Sequence, residues 1–516
     1  MLFQNESASS HFKSPIPYWY SFDTLPKFPS LTENITTEIG IVGGGIVGII
    51  SAYLLAKAGK KVVLLEADRL ISGTTGHTTA KITAQHNLIY NDLINTIGEK
   101  KARQYYEANL DGLQFIKETA SALDVQCDFE EKDAFVYAET EKGKKKLEKE
   151  AQAYHTLGIH GGLAKEQTDL PFDIKEALVM YQQAQFHPVK FLTGLVDAFI
   201  RMGGKIYEQT RVSEVLKERP PLIVTEHQHL VLCQKVIIAS HYPVNDKEDL
   251  YFIRLSINRS YAIAIQSEKA IPEDMYINAE KPTHSLRSIP TDSGETLLLI
   301  GGEGHPTGKS KGKTIFHYRD LEQFGEQHFS AKETRFFWST QDLQSLDQVP
   351  YIGQMTKNNA DIFVATGFNK WGMAAGATAG MLLSDLLLGY DNPYETLFDP
   401  NRPKLTLKDA QTFLKKNTAV GKDFIAGKVS RPSTSLDELH QNEGGLVMVD
   451  GHKIGAYRDD QGQLHQIKPV CTHLGCSLSW NDAERSWDCA CHGSRFSYTG
   501  EVLDGPAVHP LKKPDE

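Results

Sequence analysis

Four of the chain's six cysteines fall between positions 471 and 491, and two histidines stand among them. One box reads Cys471-Thr472-His473-Leu474-Gly475-Cys476. The other reads Cys489-Ala490-Cys491-His492-Gly493-Ser494. Two thiolates and two imidazoles on short glycine-containing turns suit a pair of irons, with the cysteines on one and the histidines on the other. A centre of that kind moves one electron at a time. Tetrahedral zinc takes the same donor types, so the donor atoms by themselves leave both metals open.

A second chemical signature lies near the amino end. Gly43-x-Gly45-x-x-Gly48 follows the apolar run Glu38–Val42 and precedes a helical stripe of Ala52, Leu55 and Ala56 that closes at Gly59. A glycine turn between strand and helix is the fingerprint of a dinucleotide site. Gly43 permits the tight turn, Gly45 lets a pyrophosphate reach the backbone, and Gly48 lets helix and strand pack closely. The helix N-terminus faces the phosphate charge. Lys61–Glu66 reads as a second buried strand, and Glu66 stands where a carboxylate holds ribose hydroxyls. These glycines do not choose between FAD and NAD.

Stepping outward, a chain of 516 residues is too long for one simple core, so two or three domains are expected. Residues 1–36 are irregular and proline-rich. Residues 90–160 read as helices with charged outer faces, and the charged run Glu141–Glu150 reads as a solvated helix face. Strand-like segments dominate from 178 to 350. Asp361–Ala365 reads as an apolar strand leading to a helix over Ala374–Leu388, and a small β-rich module closes the chain. A net charge of -10 argues against nucleic-acid or anionic-membrane partners. With no apolar run long enough to span a bilayer and a polar amino end, the expectation is a cytoplasmic protein. Cys127 and Cys233 read as buried and inert.

Several further motifs carry a resemblance. Gly73-Thr74-Thr75-Gly76-His77-Thr78-Thr79 follows the second strand. Gln185-Phe186-His187-Pro188, Thr210-Arg211-Val212, Pro350-Tyr351-Ile352-Gly353 and Ala365-Thr366-Gly367-Phe368-x-x-Trp371-Gly372-Met373 lie further on. Over residues 15–410 the chain resembles the D-amino-acid oxidase-like (DAO) family of FAD-dependent oxidoreductases. The resemblance implies an α/β fold, with a Rossmann-like FAD-binding domain interleaved with a mixed β-sheet substrate domain. It implies FAD contacts at Gly43, Gly45, Gly48, Glu66, Thr74, Thr75, His77, Thr78, Thr79, Val212, Gly367, Gly372 and Met373. The helix after Gly372 is expected to point its positive end at the flavin. Amino-acid oxidases of the family carry an arginine near Trp338-Ser339-Thr340-Gln341-Asp342, and this chain has none there. Asp342 would favour a cationic amine, and Arg254, Arg259 and Tyr261 are further pocket candidates.

The last module, 433–516, resembles Rieske [2Fe-2S] domains, and the Gly505-Pro506-Ala507 loop belongs to the same pattern. By position, Cys471 and Cys489 would ligate one iron, and His473 and His492 the other. Cys476 and Cys491 would form a disulfide. That extra pair resembles the Rieske proteins of cytochrome complexes rather than oxygenases. Ser494 matches a serine that donates to sulfur, and Phe496 stands where high-potential members carry tyrosine. Residues 411–432 are read as a linker. Together these features predict a dehydrogenase that oxidises a C–N bond of an amine or amino acid. Its electrons would pass from FAD to the cluster and on to an external acceptor. The alternative is an oxidase using O₂, with the Rieske domain structural or redox-sensing.

Overall fold

The computed structural model describes residues 15–21, 25–244, 250–310, 312–402 and 435–515. The segment read as a linker, 411–432, lies outside the described residues.

Ile35–Val42 is the strand on which the dinucleotide half is built. Its last four residues are all buried, as a strand covered on both faces requires. It pairs in parallel with Val62–Leu65 on one side and Leu230–Ile238 on the other. The sheet continues through Asn359–Thr366 to Tyr351–Thr356 at one edge, and through Val62–Leu65 to Lys205–Tyr207 at the other. The helix Ile46–Lys57 is apolar nearly all round, because the sheet covers one side and the helix Ala374–Leu388 the other. Small residues permit that contact. Added Cβ atoms on Gly376 and Gly380 would lie 2.8 and 2.5 Å from the Ile46 and Ile50 side chains. Gly59, at φ +81°, ends the first helix as the sequence predicts.

A second, nine-stranded mixed sheet carries the substrate side. Its long antiparallel pair, Leu255–Ser267 against Ala331–Ser345, sets Asn258 opposite Asp342 and Arg259 opposite Gln341. Helices Pro188–Arg201 and Phe316–Phe329 interrupt what the sequence reads as a mainly stranded stretch. His187 caps the first of these by accepting from Lys190 N–H (3.2 Å). Two small antiparallel sheets of three and four strands form the C-terminal module. Cys127 and Cys233 are buried, and burial raises their thiols to about 11 and about 12.

The charged run 141–150 departs from its reading at one residue. The helix Glu141–Leu157 exposes most of those charges, but Glu150 is only 1 % exposed. Its carboxylate accepts the N–H groups of Tyr90 (2.7 Å) and Asn91 (3.0 Å), at the start of the helix Tyr90–Ile97. Burial raises its carboxyl to about 7 despite those bonds. A carboxyl held above its unfolded value of 4.5 favours the fold at low pH. That contribution is complete below the unfolded value and lost as pH rises through about 7. Measured against Glu150→Gln, the natural chain is expected to lose about 3 kcal/mol of stability between roughly pH 4.5 and 7.5. A difference in melting that stays flat across this range rejects the assignment.

Candidate functional site

The two sheets and the C-terminal module enclose one cavity of about 1350 Å³. Drug-sized ligand pockets occupy about 300–1,000 Å³, so this one has room for a dinucleotide and a second molecule. Gly43, Gly45, Glu66 and Val212 line one end. Gly43 has φ +110°, and a Cβ there would meet Ala239 O at 2.5 Å. A Cβ on Gly48 would lie 1.9 Å from Gly43 O, so helix and turn touch through bare backbone. Gly45 differs, because its Cβ would meet only Thr75 Oγ1, at 3.1 Å, on the cavity side. Gly43 and Gly48 leave no room for a side chain, and the open face at Gly45 is a cradle that fits a pyrophosphate. Glu66 accepts Gly44 N–H (2.6 Å) and Asp68 N–H (2.9 Å), which orients its carboxylate into the cavity wall.

The threonine loop divides its tasks. Thr75 Oγ1 accepts Ile46 N–H (3.1 Å), capping the first helix. Thr78 Oγ1 accepts Ala80 N–H (2.9 Å) and closes a turn. Thr74 donates to Gln341 O (3.0 Å), and Thr79 lines the wall. His77 binds Gly73 O through Nδ1 (3.0 Å), and burial lowers its basicity. Gly372 and Met373 line the cavity where the helix Ala374–Leu388 begins, so its positive end faces the enclosed space. Gly48 and Gly367 lie behind the wall. Gly367, at φ +79°, makes the turn out of its strand.

Of the pocket candidates, Asp342 lines the cavity, as do Arg259 and Tyr261. Burial raises its carboxyl, while Lys370, His241 and Arg259 pull the other way. Lys370 was not singled out from the sequence. It lines the cavity, donates to Ser260 Oγ, and is lowered by burial against the pull of Asp342. A lysine directly before Trp371-Gly372-Met373 was the available signal. The cavity wall therefore carries a positive group as well as the acidic one that the sequence singled out. Tyr261 is 1 % exposed. Its hydroxyl meets His305 Nε2 (2.9 Å), and its ring stacks on His317. Arg254 lies outside the wall, bonded to Pro400 O and stacked on Tyr351. Arg259, also 1 % exposed, bonds Ser339 Oγ and forms an ion pair with Glu484 (2.9 Å) on the C-terminal module.

In that module the cysteine and histidine boxes converge. Cys476 and Cys491 form a disulfide. Cys489 Sγ lies within 4.8 Å of both disulfide sulfurs. Cys471 and Cys489 are buried free thiols that bond one another. Sharing a proton lowers Cys471 to about 6 and raises Cys489 well above the ordinary thiol value. His473 and His492 face each other nearby, with ring centroids 5.2 Å apart and planes at 89°. Ser494 bonds the Cys471 sulfur and accepts Ala507 N–H (3.0 Å). Two thiols side by side and two imidazoles side by side are a donor set that fits a Cys₂/His₂ pair of irons. Phe496, fully buried, packs in one core with Cys471, Cys476 and Cys489. Phe496→Tyr adds a donor beside that site. Its expected effect is a raised cluster midpoint within the Rieske range of about −150 to +300 mV. A redox titration with no rise would refute it.

The module is seated firmly on the body. Phe252 packs edge-on against His492 at 5.1 Å and against His473 at 6.1 Å. Thr314 bonds Asn481 and Asp482, and Tyr318 OH donates to Glu484 (2.8 Å). Asp504, Gly505, Pro506, Ala507 and Val508 form part of the cavity wall.

A dinucleotide cradle in the cavity and a Cys₂/His₂ centre in the module that supplies part of its wall define a flavin-dependent oxidoreductase with an iron–sulfur electron carrier. The chain belongs to the FAD dependent oxidoreductase (DAO) family, whose pattern matches residues 38–386, and a Rieske [2Fe-2S] domain matches residues 432–515. It binds FAD and a [2Fe-2S] cluster. It is 42 % identical over 510 residues to a Bacillus subtilis protein that carries the name Rieske 2Fe-2S iron-sulfur protein YhfW, covering 98 % of this chain and 99 % of that one. It is 23 % identical over 445 residues to gamma-glutamylputrescine oxidoreductase of Escherichia coli, covering 82 % and 98 % of the two chains. The structure of glycine oxidase from Geobacillus kaustophilus superposes with a TM-score of 0.61 at 18 % identity, over 72 % of this chain and 100 % of that one. Among the described residues no helix is long and apolar enough to cross a membrane.

Proposed function

We propose that the chain is a cytoplasmic dehydrogenase that oxidises the C–N bond of an amine or amino acid and exports the electrons through its own cluster. One observation carries this reading. The cavity that holds the dinucleotide cradle and Asp342 has the Asp504–Val508 loop of the cluster module in its wall. Gly43, Gly45 and Glu66 would hold FAD, which would supply hydride acceptance from carbon, and Cys471, Cys489, His473 and His492 would hold the cluster, which would supply one-electron transfer to an external acceptor.

The chain's own residues set the stage for that chemistry. Asp342 and Lys370 present opposite charges to the substrate space. The positive end of the helix Ala374–Leu388 favours negative charge where it meets the cavity. Fusion holds the two redox groups at high effective concentration. A substrate with nitrogen next to the reacting carbon accords with what gamma-glutamylputrescine oxidoreductase and glycine oxidase are named for.

The test is an anaerobic screen of amines and amino acids that follows flavin bleaching and the EPR signal of the reduced cluster together. A substrate that bleaches the flavin and then reduces the cluster supports the proposal. A flavin that returns to its oxidised form only with O₂, yielding peroxide while the cluster stays oxidised, overturns it in favour of an oxidase.

A further inference from the structure

Gln341 touches both redox modules through one side chain and one peptide. It lies in the strand Ala331–Ser345 and is 4 % exposed. Its main-chain oxygen accepts from Thr74 Oγ1 (3.0 Å), on the loop that lines the dinucleotide cavity. Its Oε1 accepts from Thr307 Oγ1 (2.9 Å). Its Nε2 donates to Gly493 O (2.8 Å), and Gly493 directly follows His492 in the chain. All of these bonds except that from Thr74 are fully buried.

The receiving side is built to hold still. Gly493, at φ +76°, donates its N–H to Cys489 O (2.9 Å), while Cys489 N–H bonds Ser494 O (2.8 Å). A Cβ on Gly493 would lie 2.6 Å from Ile257 Cγ2, so this turn rests flush on the substrate sheet. The amide head offers an acceptor to a hydroxyl and a donor to a carbonyl from one planar group at any pH. Leucine and methionine lack both.

We propose that Gln341 is a positioning residue for electron transfer between the modules: it fixes the turn after His492 against the threonine loop of the flavin cavity. The inference rests on the flavin-to-cluster reading above. The step it serves is a one-electron exchange in which FAD, reduced by two electrons, gives up one and the cluster's ferric pair becomes mixed ferric–ferrous. The second electron follows once a one-electron acceptor has reoxidised the cluster.

The experiment uses the full chain with both groups loaded and needs no substrate. Bound FAD is photoreduced anaerobically with EDTA as donor. Flavin absorbance and cluster EPR are then followed in time, with ferricyanide as the acceptor in a second series. In Gln341→Leu and Gln341→Met, neither of which adds charge beside His492, the cluster midpoint and EPR line shape are expected to stay as in the natural chain. The rate of cluster reduction is expected to fall at least about fivefold, the factor by which one lost buried hydrogen bond shifts the engaged arrangement. Should those variants fail to fold, Thr307→Val, which frees the amide to turn, is expected to slow the same step. Cluster reduction at the natural rate in the variants overturns the role of Gln341 and leaves the electron path standing. A natural chain whose cluster never follows its flavin overturns both.

Discussion

The Arg259→Met variant is expected to be about 3–5 kcal/mol less stable than the natural chain, the usual cost of stranding one partner of a buried ion pair. Arg259 and Glu484 have side chains 1 % and 11 % exposed, and their contact joins the substrate sheet to the cluster module. Burial alone would raise the Glu484 carboxyl, but Arg259 and Arg495 outweigh it and leave it lowered. A lowered carboxyl stabilises the fold above its unfolded value and loses that effect as pH falls through the folded one. Without Arg259 the balance tilts towards the protonated acid, so the penalty of the variant should shrink as the pH is lowered. The double variant Arg259→Met, Glu484→Gln is expected to regain most of the loss, because a neutral pair leaves no buried charge unopposed. Urea melts of the three chains at two pH values decide it. A single variant that melts with the natural chain removes the pair from the account.

Gly45→Ala and Gly48→Ala should fail in different ways. The Gly45 methyl fills the open face of the cradle and meets only Thr75 Oγ1 at 3.1 Å. Its expected result is a folded chain with a normal cluster and FAD affinity reduced at least about fivefold, since overpacking costs about 1–3 kcal/mol. The Gly48 methyl would stand 1.9 Å from a backbone oxygen that cannot turn aside. That variant is expected to lose flavin and stability together. The ratio of flavin to iron in purified protein, read beside the melting midpoint, separates the two. Full flavin content in Gly45→Ala would remove the cradle from its assigned place.

The features legible in the sequence are those the chain writes in short runs. The cysteine and histidine boxes, the glycine turn and the helix Ala374–Leu388 each declare themselves within about fifteen residues, because spacing alone fixes their geometry. The contacts that join the modules are not written that way. Arg259 and Glu484 are 225 positions apart, and Glu484 sits in the polar stretch Asn481-Asp482-Ala483-Glu484-Arg485, which looks like any exposed turn. Gln341 and Gly493 are 152 apart. Glu150 shows the same limit. Charge patterning describes the average face of a helix, and one carboxylate on that helix turns inward because a neighbouring helix start needs an acceptor.

The wall that Asp504, Gly505, Pro506, Ala507 and Val508 supply has a bearing on how this chain can be taken apart. A version ending before the cluster module would not be a smaller enzyme of the same kind. Its reaction chamber would stand open to bulk water on one side, with a guanidinium stripped of its counter-charge at the breach. The carboxy-terminal eighty or so residues therefore complete the vessel as well as carry the cluster.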